Sequence, residues 1–380
     1  MKGIVYQRFV SRLLSVTVSI NPLLSALRCL SCSCEYEPVH FPSGCPACLK
    51  AGVPSNLYCV YRPAGNDGAV QFPLVDPITL GAGATPLHRL TERVGLGSMV
   101  WVKDESRNPT GSHKDRFALG AVGWAKAIGF DTVVAASSGN AALSISAFCA
   151  ANDIQGVIAM TSDVPQQLVE SIRALGADVK IFDSYDERWE FVATHCSSGQ
   201  AFNATNYVVP VVGCSPFGIE YFKGIAHEIV TTRGAVPDAM VIPSSRGDLA
   251  HGIYRGFTEI GQGMPRLYLV EPFSRLHAVL ELGADWRTTF NGDTRLLPSI
   301  AGDTTTRQSV MAASGSDGGA VVVSDPIAAQ WHRRMWSLGY CWEPSSNAAF
   351  AALELLHQQG RIRPTEVTVV VASSHGFKGL

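Results

Sequence analysis

The chain has few charged residues, and its charges nearly cancel. Of 380 residues only 16% are charged, 46% are hydrophobic, and the formal net charge is −2. This balance gives no electrostatic reason to expect binding to nucleic acid or to an anionic membrane surface. A low charge with a high apolar content is typical of a well-buried α/β protein more than of a disordered or coiled-coil chain.

Long apolar runs and the common nucleotide-binding motifs are also missing. The apolar stretch within residues 1–20, which follows Lys2, Arg8 and Arg12, is too short to cross a bilayer, and no small-residue cleavage site follows it. We therefore interpret it as a frayed extension or an overlong start, with a secretion signal as the alternative, and expect no membrane association. Neither GxxxxGK[ST] nor GxGxxG is present, which argues against a Walker loop and a dinucleotide site.

Six of the ten cysteines lie in the first sixty residues, and four of them form two CxxC pairs. Cys29 and Cys32 make the first pair, and Cys45 and Cys48 make the second. Thiolates at this spacing can close a tetrahedral zinc site in a ribbon, so these four are the candidate metal ligands. A metal-free remnant or a redox pair are the alternatives. The other cysteines are mostly scattered, which suits a reducing cytoplasm.

Strand-like and helix-like segments alternate through the rest of the chain. Short apolar strands are predicted at 99–103, 132–136, 156–160, 178–182, 239–242, 267–270 and 367–372, with helices between several of them. This alternation predicts an α/β fold with parallel sheets. We expect residues 1–62 to form an N-terminal extension with the ribbon-like segment, and residues 63–380 to form the core, with a smaller α/β unit at about 120–215.

Lys114 stands out within the stretch Asn108–Arg116. Turn dipeptides lead into it, Ser112 is a suitable N-cap, and an amphipathic helix is predicted to follow. A lysine in the first helical turn is a poor ion-pair partner because the helix macrodipole disfavours a cation there. It is a good residue for forming a Schiff base with an aldehyde.

Further loops follow predicted strands, where ligands bind in open α/β sheets. The turn Ser137, Ser138, Gly139 and Asn140 precedes a helix, so its N–H groups can cradle a carboxylate. The loop Ser244, Ser245, Arg246 and Gly247 offers hydroxyls and a guanidinium to a phosphate. Ser373 supplies a neutral hydroxyl after the last strand, and Glu343 a carboxylate at another helix start. These are the parts that a pyridoxal phosphate enzyme acting on an amino acid needs.

The chain resembles threonine synthases and their relatives in the tryptophan synthase β superfamily, the fold-type II pyridoxal phosphate enzymes. The matching stretches, in family order, are 85–87, 102–105, 108–116, 136–140, 218–223, 343–346 and 373–378, and CxxC pairs occur in part of that family. The resemblance implies two doubly wound α/β domains and a zinc-ribbon-like appendage.

The resemblance also implies roles for individual residues. Lys114 would hold the cofactor and move protons at the α and β carbons. Asn140 would contact the phenolic oxygen of the cofactor, and Ser373 would face its pyridine nitrogen. His113 stands where the family usually has a phenylalanine. Tryptophan synthase β chains have a histidine at that position, near the phosphate, so the resemblance implies that His113 lies near the cofactor phosphate. A neutral hydroxyl at the ring nitrogen suits elimination and replacement better than transamination.

Substrate choice is where the chain departs from the family. Ala141 and Ala142 replace hydroxyl residues that help hold phosphohomoserine in threonine synthases. We therefore expect weak turnover of phosphohomoserine, with Thr304, Thr305, Thr306 and Arg307 as replacement donors and Arg307 binding another anionic part of the substrate.

The resulting prediction is a cytoplasmic, homodimeric lyase or synthase that eliminates or replaces a group at the β or γ carbon of an amino acid, as a threonine synthase does. The alternatives are a β-replacing synthase acting on serine, phosphoserine or a related amino acid, and a non-catalytic binding protein of the same fold.

Overall fold

The computed structural model describes residues 18–63, 70–97 and 99–379. The first seventeen residues, on which most of the interpreted N-terminal extension falls, lie outside this range. The described residues of the N-terminal part form strands β1 to β5 and a short helix, α1: Ser19–Ile20, Leu24–Cys29, Glu35–Tyr36, Pro46–Lys50 (α1), Leu57–Tyr61 and Leu74–Val75. β2 pairs antiparallel with β3 and β4, and β1 pairs with β5. Leu27 and Cys59 share a hydrophobic core with Trp124, so this small sheet is packed against the rest of the chain.

The next segment contains strands β6, Leu87–Arg89, and β7, Val100–Asp104, and helix α2, Lys114–Ala127. The expectation that Ser112 caps α2 is wrong. The capping position is His113, without a side-chain hydrogen bond, and Ser112 instead makes an isolated antiparallel bridge with Ser374. A partner 262 residues away in sequence therefore fixes the backbone of Ser112, and α2 begins at Lys114 itself.

A parallel four-stranded sheet follows. Its elements in chain order are β8, Thr132–Ala136; α3, Asn140–Ala151; β9, Gln155–Thr161; α4, Gln166–Ala174; β10, Asp178–Phe182; α5, Tyr185–Ser197; and β11, Phe202–Asn203. The strand order is β10-β9-β8-β11, and all neighbours are parallel. The β-branched run in β8 and the helix-length apolar stretch in α3 account for the agreement with the predicted elements.

The remaining elements build a six-stranded sheet. They are α6, Pro216–Ile219; α7, Lys223–Arg233; β12, Ala239–Pro243; α8, Asp248–Ile260; β13, Arg266–Glu271; α9, Leu276–Leu282; α10, Arg307–Ser314; β14, Gly319–Val322; α11, Asp325–Ser337; α12, Pro344–Gln358; and β15, Thr368–Ala372. The order is β14-β13-β12-β15-β7-β6, parallel except for β6. The prediction of an α/β fold with parallel sheets is confirmed.

This strand order places three of the candidate loops side by side. β12, β15 and β7 are neighbours, so the loops that leave their carboxyl ends meet at one edge of the six-stranded sheet. The Ser137–Asn140 turn leaves the carboxyl end of β8 in the other sheet. Among the described residues, none of the helices combines the length and apolar character that crossing a bilayer requires.

Candidate active site

The lysine loop is joined directly to the segment after β15. The His113 N–H donates to the Ser373 carbonyl at 2.9 Å, and the His375 N–H donates to the Gly111 carbonyl at 2.9 Å. The His113 Nδ1 lies 3.1 Å from the same Ser373 carbonyl. Burial, with the Lys114 charge, lowers the pKa of His113 well below its usual value, which favours the neutral ring. Because a carbonyl only accepts, the contact with Ser373 fits a ring that donates through Nδ1. Lys114 and Ser373 are therefore held within one hydrogen-bonded unit.

The ammonium of Lys114 is half-buried and lacks an ionic partner. Among the described residues it has no hydrogen bond or ion pair, and it lies 5.9 Å from the centre of the Phe117 ring. By contrast, the buried lysines Lys103 and Lys223 each pair with carboxylates. Lys114 thus has the exposure and the freedom that a covalent role requires.

Contacts to three carboxylates fix the helix turn that carries Lys114. Asp115 accepts from the Thr110 hydroxyl at 2.6 Å and the Ser144 hydroxyl at 2.5 Å, which ties α2 to its own loop and to α3. Arg116 pairs with Glu105 and Glu228, each at 2.7 Å, and ties α2 to the end of β7 and to α7. Glu105 and Arg116 lie in stretches that resemble the family, but no role was predicted for them from the sequence.

The Ser137–Asn140 turn contacts the same region from the four-stranded sheet. The Asn140 amide donates to the Glu343 carboxylate at 3.2 Å and accepts from the Ser374 hydroxyl at 3.3 Å. An amide carries two N–H donors, so one remains for a ligand. Ser373 itself is buried, with its hydroxyl 2.9 Å from that of Ser346 on α12. The structure therefore brings Lys114, Asn140, Glu343 and Ser373 together.

The side chain of Ser138 is not turned toward this space. Its hydroxyl lies 2.8 Å from the Thr161 hydroxyl and accepts from the Thr161 N–H and from Arg188. The Ser137 hydroxyl accepts from the Ala142 N–H at 3.2 Å. The two serine hydroxyls of the predicted carboxylate cradle are thus engaged within the protein. The backbone N–H groups at the start of α3 are the donors suited to an anion, since a helix leaves its first N–H groups without intrahelical partners.

Lys378 is a site neighbour to which sequence reasoning gave no role. Its Nζ is buried without a hydrogen-bond partner among the described residues. Burial lowers the pKa of Lys378 to about 8, against the raising effect of the Glu343 and Asp115 carboxylates. Its side-chain carbons lie beside Gly111, in the loop before Lys114. Lys378 is the last residue of the family-like stretch 373–378, and this position was the only sign in the sequence that it lies near the site.

The Ser244–Gly247 loop lies between β12 and α8, as predicted. Gly247 has a φ of 83°, and a Cβ there would approach Ser309 to 2.5 Å, so only glycine fits. The Ser245 hydroxyl donates to the Ala301 carbonyl at 2.7 Å and is not free to bind a phosphate, contrary to expectation. Asp248 is turned to Gln308 and to the Cys214 N–H.

Cys214 is near both Lys114 and this loop. Burial and the Asp248 carboxylate raise the pKa of Cys214, and the nearby Lys114 charge acts in the opposite direction. The Cys214 N–H donates to Asp248, the residue after Gly247, at 3.4 Å. Cys214 is therefore within electrostatic range of Lys114 and hydrogen-bonded to Asp248, the residue that follows the Ser244–Gly247 loop.

Arg275 holds the loop in place. Its guanidinium, which is 1% exposed, donates to the carbonyls of Ser244, Ser245, Ile300 and Gly302. One side chain thus joins the Ser244–Gly247 loop to residues 300–302. No local sequence pattern signals this contact, because the donor and its acceptors lie up to 31 residues apart.

The expected donors at 304–307 are mostly engaged within the protein. The Thr305 hydroxyl donates to the Trp286 carbonyl, and the Thr306 hydroxyl donates to the Arg246 carbonyl, both at 2.6 Å. Thr304 accepts from the Arg246 Nε at 3.1 Å. The expectation that Thr305 and Thr306 bind a substrate is therefore wrong. Arg307 is half-buried at the start of α10, and its role stays a prediction.

Ala141 and Ala142, which were treated together, differ in the structure. Ala142 is fully buried in the hydrophobic core, so its methyl group cannot face a ligand. Ala141 is partly exposed at the start of α3. Of the two departures from threonine synthases, only the one at Ala141 lies where it can change contacts with a substrate.

The four predicted metal-binding cysteines form one cluster. The sulfur atoms of Cys29, Cys32, Cys45 and Cys48 all lie within 4.8 Å of one another, and two of the pairs are 3.6 Å apart. Zinc–sulfur bonds of about 2.3 Å in a tetrahedron place sulfurs about 3.8 Å apart. Cys34 is exposed and outside the cluster. The donor set therefore fits a structural zinc ion.

We expect the purified protein to contain one zinc ion per chain. The Cys45→Ser change should remove the metal and lower the melting temperature, because a structural zinc stabilises only the folded ribbon. The matched Cys34→Ser change should leave the metal in place. Elemental analysis of protein prepared without chelator checks this, and finding no zinc in the unaltered protein would reject the site.

The arrangement has the parts for chemistry at the α-carbon of an amino acid. An unpaired primary amine lies beside an amide donor, a neutral hydroxyl and two helix starts suited to anions. The comparisons with known proteins agree with it. Residues 78–374 match the family described as pyridoxal-phosphate dependent enzymes.

Proteins similar to this chain include threonine synthases. The one from Methanosarcina acetivorans is 28% identical over 93% of this chain and 92% of its own length. The one from Halalkalibacterium halodurans is 28% identical over 79% of this chain and 84% of its own length. Both relatives are covered over most of their length.

Solved structures support the fold. The processed form of threonine deaminase isoform 2 from Solanum lycopersicum has a TM-score of 0.67 at 21% identity, covering 77% of this chain and 79% of that one. An O-ureido-L-serine synthase structure has a TM-score of 0.63 at 23% identity, covering 80% and 93%. At these identities the likeness concerns the fold alone.

Proposed function

The chain belongs to the pyridoxal-phosphate dependent enzyme family, and from this premise we propose that it eliminates or replaces a leaving group at the β or γ carbon of an amino acid. The observation that carries the proposal is the unpaired Lys114 amine. It follows His113, which bonds to the Ser373 carbonyl, and the next residue, Ser374, donates to Asn140. Two threonine synthases as relatives, each covered over most of its length, support the same chemistry.

The residues present fit pyridoxal phosphate. The start of α8 with its left-handed Gly247 would hold the phosphate, since N–H groups at a helix start favour an anion. Asn140 would donate to the phenolic oxygen, and Ser373 would lie at the ring nitrogen. When bound, this cofactor supplies an electron sink for negative charge at the α-carbon of an amino acid.

The protein side chains then handle binding and proton movement. The N–H groups at the start of α3 would bind the α-carboxylate of the substrate. The Lys114 Nζ would take the proton from the α-carbon and return a proton to the β-carbon or the leaving group. Neutral partners at Ser373 and His113 keep charge away from the ring, which favours elimination and replacement. A homodimer and a cytoplasmic location stay predictions.

Threonine formation from phosphohomoserine is the leading specific reaction because of the named relatives. A β-replacing synthase acting on serine or phosphoserine is the second candidate, and Ala141 favours it. A missing hydroxyl at a partly exposed position beside Asn140 removes a donor, which costs about 1–3 kcal/mol if a substrate phosphate needs it. That loss corresponds to roughly 5- to 150-fold in affinity.

A substrate panel tests the proposal. The holoenzyme is mixed with O-phospho-L-homoserine, O-phospho-L-serine and L-serine, while the visible absorbance and the released phosphate, threonine and keto acid are measured. We expect an absorbance change and product with at least one of the three amino acids. Threonine from O-phospho-L-homoserine would support the leading reaction, and product from O-phospho-L-serine or L-serine would support the second. A holoenzyme that binds cofactor but alters none of these amino acids would contradict the proposal.

A further inference from the structure

Asn56 belongs to a buried segment that contacts both CxxC pairs of the N-terminal part. Its carbonyl accepts from the N–H of Leu30, which lies within the Cys29–Cys32 pair, at 3.1 Å. The carbonyl of the preceding residue, Ser55, accepts from the Cys45 N–H at 2.8 Å. The position of Asn56 therefore depends on the geometry of the cluster of four cysteines.

The Asn56 side chain extends out of the ribbon toward α8. Its amide nitrogen donates to the Gln308 side-chain oxygen and to the Cys214 carbonyl, both at 3.0 Å. The Gln308 amide nitrogen donates in turn to the carboxylate of Asp248, the first residue of α8. Gly213 makes room for these contacts, because a Cβ there would approach the Gln308 and Asn56 amide nitrogens to 2.6 and 2.7 Å. Two buried amide side chains thus join the ribbon to the start of α8.

Asp248 needs partners of this kind because of where it lies. The first intrahelical bond of α8 runs from the His251 N–H to the Gly247 carbonyl at 2.8 Å, so the N–H groups of residues 248–250 are left for an anion. A carboxylate in the first helical turn is attracted to the same N–H groups and repels a phosphate bound there. The bonds from Gln308 and from the Cys214 N–H turn the Asp248 carboxylate toward residues outside the helix.

The ribbon has a second contact with α8 that does not involve Asn56. Arg255, in the same helix, donates to the Cys59 carbonyl at 3.1 Å, and its guanidinium carbon lies 4.2 Å from the centre of the Tyr58 ring. Strand β4 is therefore anchored on α8 by its own residues. A change of the Asn56 side chain can break the contact with Gln308 without detaching the ribbon.

We propose that Asn56 is a positioning residue for the cofactor. It orients Gln308, which keeps the Asp248 carboxylate from competing with the cofactor phosphate, and metal binding at the four cysteines holds Asn56 in place. The inference rests on the proposed function, because it takes the start of α8 as the phosphate site. Sequence spacing gives no sign of this link, because Asn56 and Gln308 are 252 residues apart.

The test compares pyridoxal phosphate with pyridoxal, which share the ring and the aldehyde and differ in the phosphate. The cofactor is removed from the zinc-containing protein, and the affinity for each compound is measured from the visible absorbance that it gains on binding. We expect Asn56→Ala to lower the affinity for pyridoxal phosphate about tenfold, because the freed carboxylate competes with the phosphate, and to leave the affinity for pyridoxal unchanged. Gln308→Ala, which breaks the same contact from the other side, should give the same result.

Two further variants separate this role from simple support of the fold. Asp248→Asn removes the competing charge, so in that background Asn56→Ala should change the affinity for pyridoxal phosphate by less than about twofold. Cys45→Ser should lower the zinc content and cause the same loss as Asn56→Ala, again confined to the phosphorylated compound.

The matched control is Asn21→Ala. Asn21 is also a buried asparagine of the N-terminal part, but its amide donates to Gln71 and to the Phe72 carbonyl, away from α8. This variant should keep both affinities.

An equal loss of affinity for both compounds would overturn the inference, and so would the same loss from Asn56→Ala with and without Asp248→Asn. A Cys45→Ser protein that lacks zinc but binds pyridoxal phosphate like the unaltered protein would overturn the part assigned to the metal. Unchanged affinities in both Asn56→Ala and Gln308→Ala would overturn the inference and leave the proposed function intact. An unaltered protein that binds neither compound would contradict the proposed function and this inference with it.

Discussion

Replacing Lys114 with alanine is expected to abolish both the visible absorbance of the bound cofactor and turnover. The amine at the start of α2 has no competing ion pair among the described residues, whereas Lys103 and Lys223 are committed to carboxylates. Activity should fall by at least about 10³-fold, as expected when a covalent-catalysis nucleophile is removed. Absorbance spectra and steady-state rates of the purified variant measure the effect.

The matched control for this variant is Lys126→Ala. Lys126 lies in the last turn of the same helix, and its ammonium donates to the Asp153 carbonyl at 3.2 Å at the protein surface. This change should leave the spectrum and the rate unchanged. A Lys114→Ala protein with full activity and the spectrum of the unaltered enzyme would show that another group forms the covalent bond.

Replacing Arg116 with alanine is expected to give the largest loss of stability. Arg116 is 4% exposed and pairs with Glu105, which is fully buried, and with Glu228, which also pairs with Lys103. Removing one partner of a buried ion pair leaves uncompensated charge and costs about 3–5 kcal/mol. Urea unfolding of the holoenzyme should therefore show a much lower midpoint.

The surface pair of Arg334 and Glu354 provides the comparison. Its atoms are 4.0 Å apart and both side chains are 40% exposed, so Arg334→Ala should cost less than about 1 kcal/mol. If the two arginine variants unfold at the same urea concentration, the buried network does not stabilise the lysine loop.

The same ion-pair network makes the stability of the fold depend on pH. Burial of Glu105 opposes its ionisation, yet the Arg116 guanidinium holds the pKa of Glu105 below its usual value. The pKa of Glu228 is lowered as well, because the effect of Arg116 again exceeds that of burial. A lowered folded-state pKa contributes stability that is present above the pKa of the unfolded chain and is lost as pH falls through the folded-state pKa. Part of the acid sensitivity of the unaltered protein should therefore be missing in Arg116→Ala.

The elements that sequence predicted well are those with local signals. β8 and β10 coincide with their predicted spans because β-branched runs and flanking turn residues mark them without help from distant residues. The CxxC spacing likewise predicted the cluster of four cysteine sulfur atoms that the structure contains. The role of Lys114 stays a prediction, although its place at the first residue of a helix is observed.

The errors arise where a distant partner decides the geometry. Ser112 is not a cap because it pairs with Ser374, and Ser245 is not a free donor because the Ala301 carbonyl lies opposite it. Thr305 and Thr306 are engaged with backbone carbonyls for the same reason. A hydroxyl in a loop is a candidate ligand in sequence, but its proton goes to the nearest buried acceptor, and that acceptor is known only from the fold.

Within the part of the chain that the structure describes, Lys114 and Lys378 are amines near the proposed cofactor site that have no ionic partner within salt-bridge distance. Chemical mapping of the modified lysine therefore tests the central claim most directly. The holoenzyme is reduced with borohydride, digested, and analysed by mass spectrometry to find the lysine that carries the reduced cofactor. The account predicts a single labelled peptide with the cofactor on Lys114. Labelling of Lys378 in its place, or no labelled peptide from protein that contains the cofactor, would contradict it.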